Sequence, residues 1–211
     1  MRAADRRLVI ACGALAAEIA ALRRANGWSA LDVKCLPPEL HNRPERIAGA
    51  VQEQIRAHRD RYAEIFVAYG DCGTGGALDA VLRDEGVERI AGSHCYEFFA
   101  SPAVFAALAE AEPGSFYLTD FLLRHFDRLV IRGLGIDRHP HLLAVYFGNY
   151  RRLVYLGQAP TPEAESRAQA VAARLGLEYR YQCTGYGDLG QHLAAFVNRP
   201  RTVETSPVPT S

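Results

Sequence analysis

The feature that most constrains the fold of this chain is a repeated alternation between short apolar runs and stretches with helical periodicity. The runs at 7–12 and 31–36 have the length of buried strands. By contrast, Ile47, Val51 and Ile55 recur every four residues, as on one face of a helix. Such alternation is typical of βαβ units around a parallel sheet. We therefore predict an α/β protein with a layered, mostly parallel sheet and helices on both faces, in a Rossmann-like arrangement.

The pattern places individual elements along most of the chain. A helix after Thr161 has a strong start signal, because an N-cap residue precedes Pro162 and Glu163, and Gly176 ends it. Residues 119–150 are less regular and predict two or three helices broken at Gly133 and Gly135. The predicted strands cover residues 7–12, 31–36, 64–69, 88–91, 115–118, 153–156 and 177–181. The other predicted helices cover 14–24, a segment beginning at 44, 77–83, 102–111 and a last segment from 188 to 196.

The length of 211 residues allows one α/β domain over residues 1–197 or two closely packed lobes over 1–100 and 101–197. Residues 198–211 are polar and rich in proline, with no periodicity. This composition predicts a disordered tail.

Composition and charge exclude several classes of function. Basic and acidic residues balance at 24 each, so the positive face of a nucleic-acid-binding protein is not expected. No segment approaches the roughly 20 apolar residues of a membrane span, and no export signal is convincing. The five cysteines form no CxxC pair, which favours core thiols, metal ligands or nucleophiles in a reducing compartment over disulfides. We expect a cytoplasmic protein.

Residues with chemical potential follow the predicted strands at the same end. Cys12 ends the first strand, and His41 lies in the loop after the second. Loops at the carboxyl ends of parallel strands meet at one edge of the sheet, which is where open α/β sheets bind ligands. Cys and His side chains suit soft and borderline metals such as zinc or iron. The residues after the third and fourth strands are Asp71 and Cys72, and His94, Cys95 and Glu97.

The loop YGDCGTGG at 69–76 holds a single cysteine among glycines. We interpret Cys72 as the start of a helix, a position that lowers the pKa of a thiol. The glycines would let a substrate or cofactor approach the backbone closely; the residues concerned are Gly73, Thr74, Gly75 and Gly76. The loop does not match a nucleotide-binding motif. A simple tight turn with an incidental thiol is the alternative.

The segment HCYE at 94–97 places three ligating or acid–base groups within four residues. Neighbouring side chains in an extended loop point in opposite directions, so only one of His94 and Cys95 is expected to face a metal ion. A surface loop anchored by Phe98 and Phe99 is the alternative. His41 is open to three roles, as a ligand, a base or a helix cap.

Four blocks in order resemble a bacterial and archaeal family, domain of unknown function 1638. They are ACG at 11–13, LPPELHNRPE at 36–45, YGDCGTGG at 69–76 and HCYEFF at 94–99. The resemblance implies an association with corrinoid proteins and with corrinoid- or folate-dependent methyltransferases, whose genes neighbour those of this family. It therefore implies a role in one-carbon metabolism. Corrinoid methyl transfer often uses zinc-bound thiolates, which suits a Cys/His metal site.

The first hypothesis is a metal-dependent enzyme of methyl or small-group transfer acting on a small-molecule substrate. Zinc or iron would be held by Cys72, Cys95 or His94, His41 and Cys12, with Asp71 or Glu97 as a supporting group or general base. The second is a non-enzymatic carrier of a metal or corrinoid that serves a methyltransferase. The third is metal-free thiol catalysis, with Cys72 as nucleophile and His94 or His41 as base.

Overall fold

The computed structural model describes residues 6–200, which fold into two parallel sheets covered by helices. The first sheet has the strand order β2-β1-β3-β4, and the second has the order β5-β6-β7. The predicted α/β class with parallel strands is therefore confirmed, although the strands divide between two sheets instead of forming one. The predicted tail lies outside the described residues from 201 onward.

The first sheet is built from the first half of the chain. Its strands are β1 (Arg7–Cys12), β2 (Leu31–Leu36), β3 (Glu64–Ala68) and β4 (Glu88–Arg89). The helices between them are α1 (Ala16–Ala25), α2 (Ile47–His58) and α3 (Ala77–Glu85). The apolar residues of α2 at 47, 51 and 55 are fully buried, as their spacing predicts. The segment beginning at Pro44 starts with a 3-10 turn, Pro44–Arg46, before α2.

The second sheet follows two connecting helices, α4 (Cys95–Ala100) and α5 (Pro102–Ala111). Its strands are β5 (Ser115–Thr119), β6 (Arg152–Gly157) and β7 (Glu178–Cys183), and α8 (Pro162–Leu175) joins the last two. Thr161 caps α8 by accepting a hydrogen bond from the Ala164 amide at 3.2 Å, and Gly176 ends it in a left-handed conformation. The start and stop signals in the sequence are confirmed.

The segment 119–150 connects β5 to β6 through three short helices. They are α6 (Asp120–Arg124), a π-helix (Asp127–Arg132) and α7 (Leu142–Phe147). Gly133 follows the π-helix directly, and Gly135 lies in the turn beyond it with a positive φ of 73°. The three helices agree with the predicted two or three, but the sequence did not give their bounds.

The last helix, α9 (Gly187–Val197), returns to the first sheet. Its buried residues Leu189, Leu193 and Phe196 belong to the same core as β1 and β3. The Phe196 ring stacks on Phe66 with 5.1 Å between ring centroids. The C-terminal end of the described chain thus completes the core of the N-terminal half. Whether the chain is one domain or two lobes stays a prediction.

Within residues 6–200, no helix has both the length and the apolar character that crossing a bilayer requires.

Candidate functional site

The carboxyl edge of the first sheet faces the second half of the chain, and a cavity of about 250 Å³ lies between them. The chain leaves β1 for β2 on one side and later adds β3 on the other, so the strand order reverses between β1 and β3. Ligands of open α/β sheets bind at such a point. The wall from the first half includes His41, Cys95 and Tyr96. The wall from the second half is mostly apolar and comprises Phe116, Thr119, Phe121, Leu122, Leu129, Val130, Leu134 and Phe147.

Cys12 is the last residue of β1 and lies almost fully buried at this edge. Its sulfur accepts a hydrogen bond from the Ala14 amide at 3.3 Å. Burial raises the pKa of the thiol to about 12, so it is protonated at neutral pH. The Sγ atom lies 3.7 Å from Nδ1 of His41, the residue predicted in the loop after β2. The structure therefore brings these two predicted site residues together.

The surroundings of His41 determine which of its ring nitrogens is available. Nδ1 lies 3.2 Å from the Pro38 carbonyl oxygen, which can only accept a hydrogen bond. We therefore assign the proton of the neutral ring to Nδ1, which leaves Nε2 as the nitrogen with a free lone pair. Although His41 keeps an exposed edge, desolvation by the surrounding protein lowers the pKa of its imidazole, and a charge on His94 lowers it further. His41 is thus held as a neutral imidazole at this edge.

Tyr69 follows β3 directly, and its residue type did not mark it as a candidate site residue in the sequence. Its side chain is fully buried, and its hydroxyl has no hydrogen-bond partner among the described residues. The hydroxyl approaches the Cys12 thiol without the geometry of a hydrogen bond, and burial raises its pKa. Its ring is nearly parallel to that of His41, with 6.2 Å between ring centroids. A buried hydroxyl without a hydrogen-bond partner lowers the stability of the fold, and this one lies at the edge that carries Cys12 and His41.

Cys72 does not start a helix, contrary to the sequence interpretation. Helix α3 begins at Ala77, and Cys72 lies in the preceding turn with a positive φ of 50°. The expected lowering of its pKa is also wrong, because burial raises the pKa of the thiol to about 11. The amides of Gly70 and Cys95 act in the opposite direction but do not overcome burial.

Cys95 is the first residue of α4 and lines the cavity. Its pKa is raised well above the ordinary value, first by burial and then by the charges that Cys72 and Cys12 would carry as thiolates. Cys72 raises the pKa of Cys12 in the same way. Three thiols from three separate segments of the chain therefore lie within electrostatic range of one another. We call Cys12, Cys72 and Cys95 the thiol cluster.

Asp71 holds the glycine loop in shape. Its carboxylate accepts hydrogen bonds from the Thr74 hydroxyl at 2.6 Å and from the amides of Gly76 at 2.9 Å and Gly75 at 3.2 Å. These bonds, the one from Thr74 above all, lower the pKa of Asp71. Positive φ angles at Gly73, Gly75 and Gly76 make the turn possible. In this structure the loop is closed by its own contacts, and no ligand is needed to explain its glycines.

Glu97 plays a similar part in the neighbouring loop. Its carboxylate accepts hydrogen bonds from the Ser93 amide at 2.7 Å and the Ser93 hydroxyl at 2.9 Å. The two loops are joined by bonds from the Asp71 amide to the Gly92 carbonyl and from the Cys72 amide to the Ser93 carbonyl. His94 caps the start of α4 by position and is exposed, whereas Cys95 lines the cavity. Asp71 and Glu97 thus fix the loops that carry the thiols.

The thiols and imidazoles are neighbours, but their side chains do not converge on one point. Among residues 6–200, no group of three or more His, Cys, Asp and Glu side chains is arranged to hold a metal ion. The donors are present at one edge without the geometry of a coordination sphere.

Sequence reasoning missed two parts of the site. Residue type alone did not identify the orphaned Tyr69 hydroxyl, although Tyr69 is the first residue of the singled-out loop. The sequence also did not reveal the apolar wall from the second half, because residues 119–150 have no clear periodicity.

Comparison with known protein families identifies the family of this chain. The family described as "Protein of unknown function (DUF1638)" matches residues 35–193. The chain belongs to the DUF1638 family. Among curated proteins, none matches it. The DUF1638 match includes His41, Cys72, Cys95 and the second wall of the cavity, and it begins after Cys12.

Proposed function

We propose that the cavity edge binds a soft or borderline divalent metal ion, zinc or iron, and that this protein is an enzyme of methyl or small-group transfer. The observation that carries the proposal is the thiol cluster, in which the buried Cys12 lies 3.7 Å from Nδ1 of His41. The half-buried Cys95 lines the same cavity as His41, and the buried Cys72 lies on the neighbouring loop. Thiols that raise one another's pKa repel as thiolates, and a cation between them would remove that repulsion.

The chemistry of the donors fits such an ion. Thiolate sulfur and imidazole nitrogen are the preferred ligands of zinc and of iron. A metal-binding histidine commonly donates its other ring N–H to a carbonyl, as His41 does to Pro38. Cys12, Cys95 and Nε2 of His41 are the groups that would hold the ion, with Cys72 as a further donor. Because the side chains do not converge without it, binding must include rotation of at least one cysteine and a shift of the loop that carries both His41 and Pro38.

A bound ion of this kind would keep a thiol deprotonated at neutral pH or activate a water molecule. The other contributions come from the chain itself. The apolar wall around Phe116, Leu129 and Phe147 favours an apolar portion of a small substrate and limits access of water. The unpartnered Tyr69 hydroxyl offers a hydrogen bond to a ligand group that enters beside Cys12.

Metal-free thiol catalysis is less well supported. A nucleophilic cysteine needs a lowered pKa, whereas burial raises the pKa of Cys12 to about 12 and that of Cys72 to about 11. The Nδ1 proton of His41 also points to the Pro38 carbonyl, so this nitrogen cannot act as a base toward Cys12.

Elemental analysis of protein purified without an affinity tag tests the proposal. We expect about one equivalent of zinc or iron per chain in the wild type. The content should fall several-fold in Cys12→Ser, Cys95→Ser and His41→Ala. The matched control is Cys35→Ser, which removes an exposed thiol of β2 and should leave the metal content unchanged. Equal metal content in all four variants would overturn the proposal.

Turnover separates an enzyme from a carrier. The metal-loaded protein should transfer a methyl group from a methylated corrinoid or folate donor to an acceptor thiol, and the Cys95→Ser variant should not. Stable metal binding without transfer to any acceptor would instead identify an accessory protein.

A further inference from the structure

A second pocket, of about 430 Å³, lies on the outside of the second half between two helical elements. It shares no lining residue with the cavity at the thiol cluster. Five arginines line it, and we call this pocket the arginine groove; they are Arg124, Arg128, Arg132, Arg167 and Arg174.

The arginines form two facing rows at helical spacing, one along α6 and the π-helix and the other along α8. Arg124, Arg128 and Arg132 follow one another at intervals of four residues along α6 and the π-helix. Arg167 and Arg174 are seven residues apart on α8, which places them on the same face of that helix. Both rows line the groove. The positive charge is therefore concentrated from two sides on one concave surface.

Little negative charge opposes these arginines. Asp127 is the one acidic residue among the lining residues, and it pairs with Arg174 at 2.7 Å. Arg128 pairs with Glu39. Among residues 6–200, the other three arginines of the groove, Arg124, Arg132 and Arg167, form no ion pair. The charges of the whole chain balance, so this excess of positive charge is local. It makes the groove attractive to anions.

The charges of the arginines change the pKa of a neighbouring histidine, His125. His125 lines the groove, and its pKa is lowered by burial and by the charges of Arg128 and Arg124, which outweigh the opposite effect of Glu39. His125 is therefore neutral at physiological pH and adds a hydrogen-bonding ring to the groove without more charge.

We propose that the arginine groove binds a small molecule that carries two or more phosphate groups, such as a nucleoside diphosphate or triphosphate. Guanidinium groups bind phosphate oxygens through paired hydrogen bonds, and several arginines on opposite walls suit a chain of phosphates. Leu123, Phe126 and Val171 supply apolar surface for the rest of the ligand. The volume is within the range of small-molecule sites and the surface is concave, which favours a small molecule over the flat face of a protein partner.

Binding measurements on the full chain test this proposal. The probes are ATP, pyrophosphate and inorganic phosphate, measured by calorimetry at low ionic strength without divalent cations. We expect saturable binding of ATP and pyrophosphate that is at least about tenfold tighter than that of inorganic phosphate. The double variant Arg124→Gln/Arg132→Gln should weaken ATP binding by about tenfold or more, because it removes two of the three guanidinium groups of the groove that form no ion pair with a described residue. The matched control Arg83→Gln changes an exposed arginine of α3 and should not alter binding.

Three results would overturn the assignment. One is that neither ATP nor pyrophosphate binds, and another is that the Arg83 control weakens binding as much as the double variant. The third is that an acidic peptide binds with the same affinity as ATP and the same dependence on Arg124 and Arg132, which would identify a protein-docking surface instead. Circular dichroism of each variant verifies that the fold is retained.

Discussion

At the scale of single residues, burial determines the state of the groups around the cavity. Cys12 and Cys72 are kept as neutral thiols, Tyr69 keeps an unpartnered hydroxyl, and His41 is neutral. The unpartnered Tyr69 hydroxyl is costly in a protein interior, since buried polar groups usually have partners, whereas neutral thiols are tolerated there. The proposed metal ion and substrate would supply the missing interactions.

A second side chain that lowers stability by its burial lies on α1, apart from the cysteines. Glu18 on α1 is buried and one of its carboxylate oxygens has no hydrogen-bond partner among the described residues. Burial is the largest cause that raises its pKa, and Asp120 adds to it. Because the folded state favours the protonated form, this group stabilises the fold below its ordinary pKa, and that contribution is lost as the pH rises through the folded-state value.

We therefore expect Glu18→Gln to be more stable than the wild type at pH 7, by about 1 kcal/mol or more. The difference should disappear at about pH 3, where the wild-type carboxyl is protonated in both states. Urea unfolding at several pH values measures it, with the exposed Glu110→Gln on α5 as the control. A variant that is less stable than the wild type at neutral pH would show that Glu18 is ionised and paired in the fold.

The sequence predicted which residue types lie at this edge but not their ionisation. The positions of Cys12, His41 and Cys95 follow from strand ends, which periodicity reveals. The pKa of Cys72 does not, because it depends on a turn of five residues before α3 that buries the thiol away from the helix terminus. The pKa of Cys72 is therefore raised instead of lowered, because tertiary packing buries the thiol.

At the scale of elements, the site depends on the close approach of two loops. Gly70 allows this approach: a Cβ atom there would lie 3.0 Å from the backbone nitrogen and Cα of His94. The backbone bonds from Asp71 and Cys72 to the loop at 92–93 need the same proximity. The glycine at this position thus serves packing between loops.

Gly70→Ala should destabilise the protein by about 1–3 kcal/mol, because the added methyl group pushes the backbone of the second loop away. The matched control is Gly49→Ala in α2, where a Cβ meets nothing within 4 Å and alanine should stabilise the helix by about 0.5–1 kcal/mol. Thermal unfolding compares the two. If Gly70→Ala is as stable as the wild type, the loops are not rigidly paired.

At the scale of the whole molecule, the sequence predicted the α/β class and most strands, because local periodicity reports burial. It did not predict that the strands form two sheets, since pairing between strands is decided by contacts distant in sequence. The sequence also did not predict that α9 packs against the first core. Its apolar spacing indicates a helix with one buried face but not the surface that buries it.

The return of α9 predicts that both halves unfold together. Phe196→Ala should lower the free energy of unfolding by about 3–5 kcal/mol, because the ring is buried against Phe66 in the first core. The exposed Val104→Ala on α5 is the control. Urea unfolding followed by fluorescence of Trp28, the single tryptophan, and by circular dichroism should give coincident transitions. Two separate transitions would establish independent lobes.

Titration of metal-free protein with Co²⁺ tests whether the thiol cluster and His41 together bind a metal ion, as we propose. Thiolate ligation of Co²⁺ produces an intense charge-transfer absorption in the near ultraviolet, and the thiols must release protons as they bind. We predict that this absorption saturates at about one equivalent of Co²⁺. It should be lost in Cys12→Ser and Cys95→Ser and retained in Cys183→Ser, an exposed thiol of β7. A titration without thiolate absorption, or one in which all three variants behave like the wild type, would contradict the account.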